Sequence, residues 1–257
     1  MEVTPYYTDE SVTLWHGPMQ DLIGPQYIRD IKSDVCITDP PYGETSLIWD
    51  RWQANWPSHV IEALPLTTSL WCFGSMRMFL EHSAAFAEWD YAQEIVWEKH
   101  NGSGFHADRF KRVHEFATHW YRGAWADVYK DPQYTSDATA RTVRRKERPT
   151  HTGEIADSTY TSADGGPRLQ RSVLRVRSMH GKAVHPTEKP LGILDPLIRY
   201  STKPGDTIFD PFAGSGSTGV AAKALGRKAV LIEADERYCE IAARRLSQGV
   251  LDFGEPA

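Results

Sequence analysis

The sequence predicts an α/β protein built on a doubly wound, mostly parallel sheet, and three stretches carry that prediction. DTIFDPFAGSGSTGVAAKALG reads as a short apolar strand, a glycine-rich turn and a helix. KAVLIEADERYCEIAARRLSQG repeats strand and helix directly after it. DVCITDPPYGETS sends an apolar strand into an acid, two prolines and an aromatic ring. Each proline fixes its own φ and restricts the residue before it, so Asp39-Pro40-Pro41-Tyr42 has little freedom. A carboxylate and an aromatic ring are thereby held at a strand's C-terminal edge, where open α/β sheets place their ligands.

In chain order, Val12-Thr13-Leu14-Trp15 is a first short strand, and residues 18–30 read as a helix leading to the strand before Asp39. Trp49, Trp52 and Trp56 recur at helical spacing within 47–63. Ser69–Phe73 is a buried strand closed by Gly74, and MRMFLEHSAAFAEW an amphipathic helix. AQEIVWEK and HEFATHWYRG are two strands separated by the glycine-rich NGSGFHADRF. From about Lys130 to Gln170 the chain turns polar, with few apolar anchors, which predicts a long loop or a small irregular subdomain. RSVLRVRS alternates like a strand, HPTEKPLGILDPLIRYS is a loop and a helix, and the last helix runs to Gly249. Residues 1–123 and 172–257 are therefore expected to form one domain around an insert at 124–171.

With 257 residues, 25% of them charged, the composition is that of a globular protein. No apolar run approaches the roughly 18 residues a membrane span needs, and MEVTPYYTDE has neither a basic nor an apolar leader region, so a cytoplasmic location is expected. Cys36, Cys72 and Cys239 are scattered with no CxxC pair, so neither a disulfide framework nor a metal site is expected. The formal charge is −5, but Arg141–Lys182 holds ten basic residues against four acids, a net +6 that leaves −11 elsewhere. A basic block on an acidic protein points to a localised polyanion contact or to a solvated loop.

Gly214, Gly216 and Gly219 form a literal G-x-G-x-x-G after a strand, and Glu233 follows 19 positions after the first of them. Such a turn lets backbone approach an adenosyl ligand while the acid pairs with a ribose diol. Only 38 residues follow Gly219, too few for the second half of a dinucleotide site, so the strands completing the sheet are expected from the N-terminal part.

Three motifs now stand in order: DPPY at 39–42, HPTEKP at 185–190 and DPFAGSGSTG at 210–219. This order resembles the beta class of S-adenosylmethionine-dependent DNA amino-methyltransferases, which modify adenine N6 or cytosine N4. The resemblance covers all but about residues 130–170. It implies a Rossmann-like methyltransferase sheet with a circularly permuted motif order, S-adenosyl-L-methionine as methyl donor, and no metal. Double-stranded DNA is the implied partner, with the insert at 124–171 as the target-recognition region, and a homodimer and a partner restriction nuclease are left open. Asp39, Pro40, Pro41 and Tyr42 are the implied catalytic residues: the carboxylate and the Pro40 carbonyl accept the target amine's N–H bonds, and Tyr42 stacks on a flipped base. Asp210, Phe212, Gly214, Gly216 and Glu233 are the implied cofactor site with Lys189, His185, Thr187 and Asp39, where Lys189 suits the methionine carboxylate. The chain departs from the family pattern at WHGPMQ, which lacks an acid after the glycine, and at Gly43, where many relatives carry asparagine.

DNA contacts are less legible. The three tryptophans suit either a core-packing helix or wedges beside an opened base pair. Arg109, Lys111 and Arg112 suit phosphates, as do Arg144, Arg145, Arg175 and Arg177 in the basic block. Aspartate at position 39 leans towards adenine N6, with cytosine N4 as the alternative within the class. A catalytically silent DNA-binding protein is the alternative outside it.

Overall fold

The computed structural model describes residues 4–23, 33–103, 107–145, 158–178 and 188–248. The chain divides into two compact units: Pro132–Arg171, and the remainder.

The larger unit is organised by one nine-stranded sheet. Its strands are β1 (Tyr7–Thr8), β2 (Val12–His16), β3 (Val35–Thr38), β4 (Thr68–Gly74), β5 (Asp90–Ser103) and β6 (Arg112–Arg122), then β11 (Val173–Arg175), β12 (Thr207–Asp210) and β13 (Lys228–Glu233), with β7–β10 in the smaller unit. The spatial order is β1-β2-β13-β12-β3-β4-β6-β5-β11. From β2 through β4 every pairing is parallel, while β6 runs antiparallel to β4 and β5, and β11 pairs parallel with β5.

Alternation along the central strands sorts side chains onto two faces. Val35, Ile37, Trp71, Phe73, Ile208, Ala229 and Leu231 join one core cluster, together with residues of α4 (Leu191–Ser201), α5 (Ser217–Ala224) and α6 (Glu236–Ser247). Cys36, Leu70, Cys72, Phe209, Val230 and Ile232 point the other way, against α1 (Met19–Leu22), α2 (Trp56–His59) and α3 (Met76–Glu81). The sheet is covered on both sides, as a doubly wound fold requires.

Several elements differ from expectation. The helix expected over 18–30 is described only as α1, since residues 24–32 lie outside the described residues, as does Gly249. The tryptophan segment is mostly loop: the Asp50 carboxylate accepts from the amides of Gly43 (2.8 Å) and Thr45 (2.7 Å), which ties the chain back on itself. Asn55 is left-handed at φ 59°, and helix begins only at Trp56, with Pro57 in its first turn. The helix expected from MRMFLEHSAAFAEW is α3 followed by a 3-10 turn at Ser83–Phe86, with Ser75 capping α3 by accepting from the Met78 amide at 3.0 Å.

The smaller unit begins eight residues later than the expected insert. Residues 124–131 are tied to the larger unit, where Trp125 packs on Tyr121 at 4.9 Å, Val128 is buried and the Asp131 amide donates to Tyr200. Within the smaller unit β7 (Tyr134–Thr135) pairs antiparallel with β10 (Arg168–Leu169), and β8 (Arg141–Arg145) with β9 (Ser158–Ser162). Among its described residues polar links tie the ribbons: Arg168 pairs with Asp137 at 2.6 Å, and Asp164 accepts from the Ala140 amide at 2.6 Å.

Candidate active site

The chain leaves β3 towards β4 on one side and β12 towards β13 on the other, so the loops diverge above these two neighbouring strands. That topological switch point opens a cleft of about 320 Å³. Asp39 follows β3 and Asp210 ends β12, and both line it. The strand ends are bound together by the Thr38 hydroxyl, which donates to Asp210 Oδ1 at 2.7 Å, and the Phe212 amide donates to the same oxygen at 3.1 Å. Burial pushes the Asp210 carboxyl up to about 6, against the pull of the Thr218 and Thr38 hydroxyls.

The glycine-rich turn supplies the next wall. Gly214 is left-handed (φ 52°) and its amide donates to Glu233 Oε2 at 2.7 Å, while the Asp235 amide donates to Oε1 at 2.7 Å. Burial raises the Glu233 carboxyl, and these amides oppose the rise. Gly214, Phe212 and Glu233 line the cleft. Gly216 is not among the residues lining it: its φ of 77° and a distance of 3.0 Å from an added Cβ to Ala242 Cβ give it a turning and packing part against α6. Gly219 packs as well, since a Cβ there would lie 2.7 Å from Leu231 Cδ1.

On the other side stands Asp39. Tyr42 donates its hydroxyl to Asp39 Oδ1 at 2.6 Å, and the Lys189 ammonium donates to Oδ2. Lys189 is 7% exposed and also lies 3.5 Å from Glu115 Oε2, while Lys99 holds Glu115 Oε1. Burial raises the Asp39 carboxyl against the attraction of Lys189. Burial disfavours the Lys189 cation, but the two carboxylates outweigh it and hold Lys189 charged. Burial also works against ionised Glu115, and Lys189 and Lys99 overcome it. Lys189, expected to meet a cofactor carboxylate, is among the residues lining the cleft, and its ammonium is paired within the chain with Asp39 and Glu115.

The sequence reading missed Arg245 of α6. Its guanidinium donates to the Ser215 carbonyl (2.8 Å), the Ser215 hydroxyl (2.7 Å) and the Ser217 hydroxyl (3.2 Å), and pairs with Glu188 at 3.0 Å. It thus joins the glycine-rich turn to the residue preceding Lys189. One signal was available: Ala242 and Leu246, at i−3 and i+1 on an amphipathic helix, are buried, so Arg245 falls towards the core side.

Other candidates are placed as follows. His185 and Thr187 lie outside the described residues. Trp56 is fully buried and meets Phe212 edge-on at 5.6 Å, so it is core, whereas Trp49 lines the cleft and Trp52 stacks on His82 at 4.0 Å. Arg109 and Lys111 are exposed, Arg109 paired with Asp108 and Arg112 with Glu44 at 3.1 Å. Arg175 and Arg177 are exposed too, but only Arg175 lies within β11, where it pairs with Glu98. Arg144 and Arg145 are strand positions of β8. Cys36, Cys72 and Cys239 are buried free thiols, and among the described residues no cluster of three His, Cys, Asp or Glu side chains could hold a metal. No described helix is long and apolar enough to cross a membrane.

Comparison with known proteins agrees with the architecture. The M1.HpyAVI–SAM complex has 25% sequence identity and a TM-score of 0.62, covering 91% of this chain and 100% of that one. The cytosine-N4-specific PvuII DNA methyltransferase, at 14% identity and a TM-score of 0.64 over 96% of this chain and 90% of that one, shares the fold. In sequence, the Type II methyltransferase M2.LlaDCHI of Lactococcus lactis subsp. cremoris is 26% identical over 271 residues, covering 95% of this chain and 93% of that protein. The Type II methyltransferase M.HinfI of Haemophilus influenzae is 26% identical over 244 residues; the match takes in 84% of this chain but spans only 63% of the length of that relative. The sequence model of the N6/N4 DNA methylases matches residues 33–244, from the strand that delivers Asp39 to the helix that carries Arg245, and the chain belongs to that DNA methylase family.

Proposed function

We propose that this protein transfers a methyl group from S-adenosylmethionine to an exocyclic amino nitrogen in double-stranded DNA, with adenine N6 as the target. The observation that carries the reading is that Asp39 and the Gly214–Glu233 pair line one cleft at the switch point of the sheet. The residues suit the donor: Glu233 offers carboxylate oxygens to a ribose diol, Gly214 allows close backbone approach, and Phe212 and Trp49 supply apolar surface for an adenine ring. The donor contributes an activated methyl group on a sulfonium.

The chain's own residues do the rest. An exocyclic amine is a poor nucleophile because its lone pair is delocalised into the base. Asp39, with the Pro40 carbonyl beside it, accepts the amine's N–H bonds and turns the nitrogen towards tetrahedral geometry, with its lone pair aimed at the methyl group. As the C–N bond forms and the C–S bond breaks, the nitrogen gains positive charge, which the Asp39 carboxylate stabilises and from which it takes a proton. A carboxyl raised by burial is a stronger base than an exposed one, which suits that role. Tyr42 is bonded to the same carboxylate and offers its ring to a base flipped out of the duplex. Alignment and electrostatics supply the acceleration. Exposed Lys111 and Arg177 are available to phosphates.

The test is a nucleoside digest of unmethylated DNA incubated with the protein and S-adenosylmethionine, read by mass spectrometry. N6-methyladenine is expected; N4-methylcytosine changes the base and keeps the chemistry, and no methylated base refutes the reading. Asp39→Ala is expected to abolish transfer and leave donor binding within about threefold, and near-normal turnover by that variant removes Asp39 from the chemistry.

A further inference from the structure

Four charged side chains form a series of contacts that begins in the cleft with Asp39 and Lys189 and continues to Glu115 on β6 and Lys99 on β5. Both oxygens of Asp39 are occupied, Oδ1 by the Tyr42 hydroxyl and Oδ2 by the Lys189 ammonium. An amine that must donate to Asp39 competes with Lys189 for Oδ2. An ammonium 7% exposed cannot simply withdraw, because a buried cation left without an anion is strongly disfavoured. It needs a second carboxylate, and one stands ready. Glu115 Oε2 lies 3.5 Å from Lys189 Nζ and is buried with no hydrogen-bond partner. The other Glu115 oxygen is fixed by Lys99, itself held 4.5 Å over the Trp97 ring, so Glu115 does not follow the ammonium.

We propose that Glu115 is a positioning residue for methyl transfer: it gives the Lys189 ammonium a second carboxylate to rest on, so that Asp39 can release Lys189 and accept the N–H bonds of the incoming amine. This rests on the transfer reading above. Lys189 carries three donors and needs only a short movement to strengthen one contact and weaken the other. Other groups acting on this series are Tyr42 beside Asp39, Cys72 on β4, Asp210 on β12, and Arg112, which is paired with Glu44. None of them offers Lys189 a second carboxylate contact of the kind Glu115 provides.

Glu115→Gln keeps the shape and removes the charge. Lys189 then rests on Asp39 alone, so kcat is expected to fall roughly ten- to a hundredfold while the donor's dissociation constant stays within about twofold. Asp39 also loses a negative neighbour and keeps its cation, so it ionises at lower pH. The acid limb of kcat/KM for DNA, measured at saturating donor, moves down by about half a unit to one unit. Lys189→Met removes the cation and moves the same limb upward. Opposite displacements are what a merely structural part for these residues would not give. Wild-type kcat in Glu115→Gln, or lost activity in both variants with unmoved acid limbs, overturns the proposal. The wild-type enzyme is assayed alongside, and its failure to methylate DNA refutes the transfer reading itself and the proposal with it.

Discussion

Replacing Asp210 with asparagine should make the protein's stability less dependent on pH. The carboxylate is 3% exposed, and burial lifts it from an ordinary 3.8 to about 6. That is a rise of about two units at about 1.4 kcal/mol each, so ionising Asp210 in the folded state costs about 3 kcal/mol. Because the folded value lies above the unfolded one, this stabilisation is complete below about pH 4 and is lost as pH rises through 6. Asp210→Asn has no charge to bury, keeps an oxygen for Thr38 and Phe212, and presents an amide towards the Thr218 hydroxyl. Urea unfolding of both proteins without ligand, in steps from pH 4 to pH 8, provides the assay. The variant is expected to gain about 2–3 kcal/mol on the wild type across that range, with most of the gain between pH 4 and 6. Parallel stability curves for the two proteins would refute the claim that burial of Asp210 controls its ionisation.

Two further predictions concern the walls of the cleft. Arg245→Met unties the glycine-rich turn from Glu188, whose side chain is 3% exposed, so the dissociation constant for S-adenosylmethionine should rise about tenfold by calorimetry. Unchanged affinity would show that Arg245 shapes nothing the donor touches. Gly219→Ala puts a methyl group 2.7 Å from Leu231 Cδ1 and 3.1 Å from Leu246 Cδ2, and should cost about 1–3 kcal/mol in chemical denaturation. An unaltered midpoint would mean that α5 has room to shift on β13.

By itself the sequence determined the type of most elements of the central sheet. Apolar runs such as Val35–Ile37 and Thr207–Asp210, followed by turn chemistry or capped helices, are strong local signals whose spacing and punctuation fix what they become. The same holds for the acid and aromatic at 39–42 and the glycine-rich turn at 214–219, because proline and glycine constrain backbone wherever they stand. Less local features were not legible. The tryptophan repeat at 49, 52 and 56 has helical spacing, yet Asp50 folds most of that stretch into a loop through bonds that periodicity does not reveal. The polar stretch after residue 131 became two antiparallel ribbons closed by polar side chains, and the absence of an apolar pattern concealed them.

Only the tertiary structure decided which charges meet. Lys189 and Asp39 are 150 positions apart, Thr38 and Asp210 are 172 apart, and Arg245 reaches back 30 positions to Ser215. Such pairs depend on strand order and on how deeply each group is buried, and burial in turn decides whether an ammonium stays free for a ligand or is taken by the chain's own carboxylates. For that physical reason the sequence could nominate Asp39, Glu233 and Lys189, but the fold had to assign the partners that set their charge.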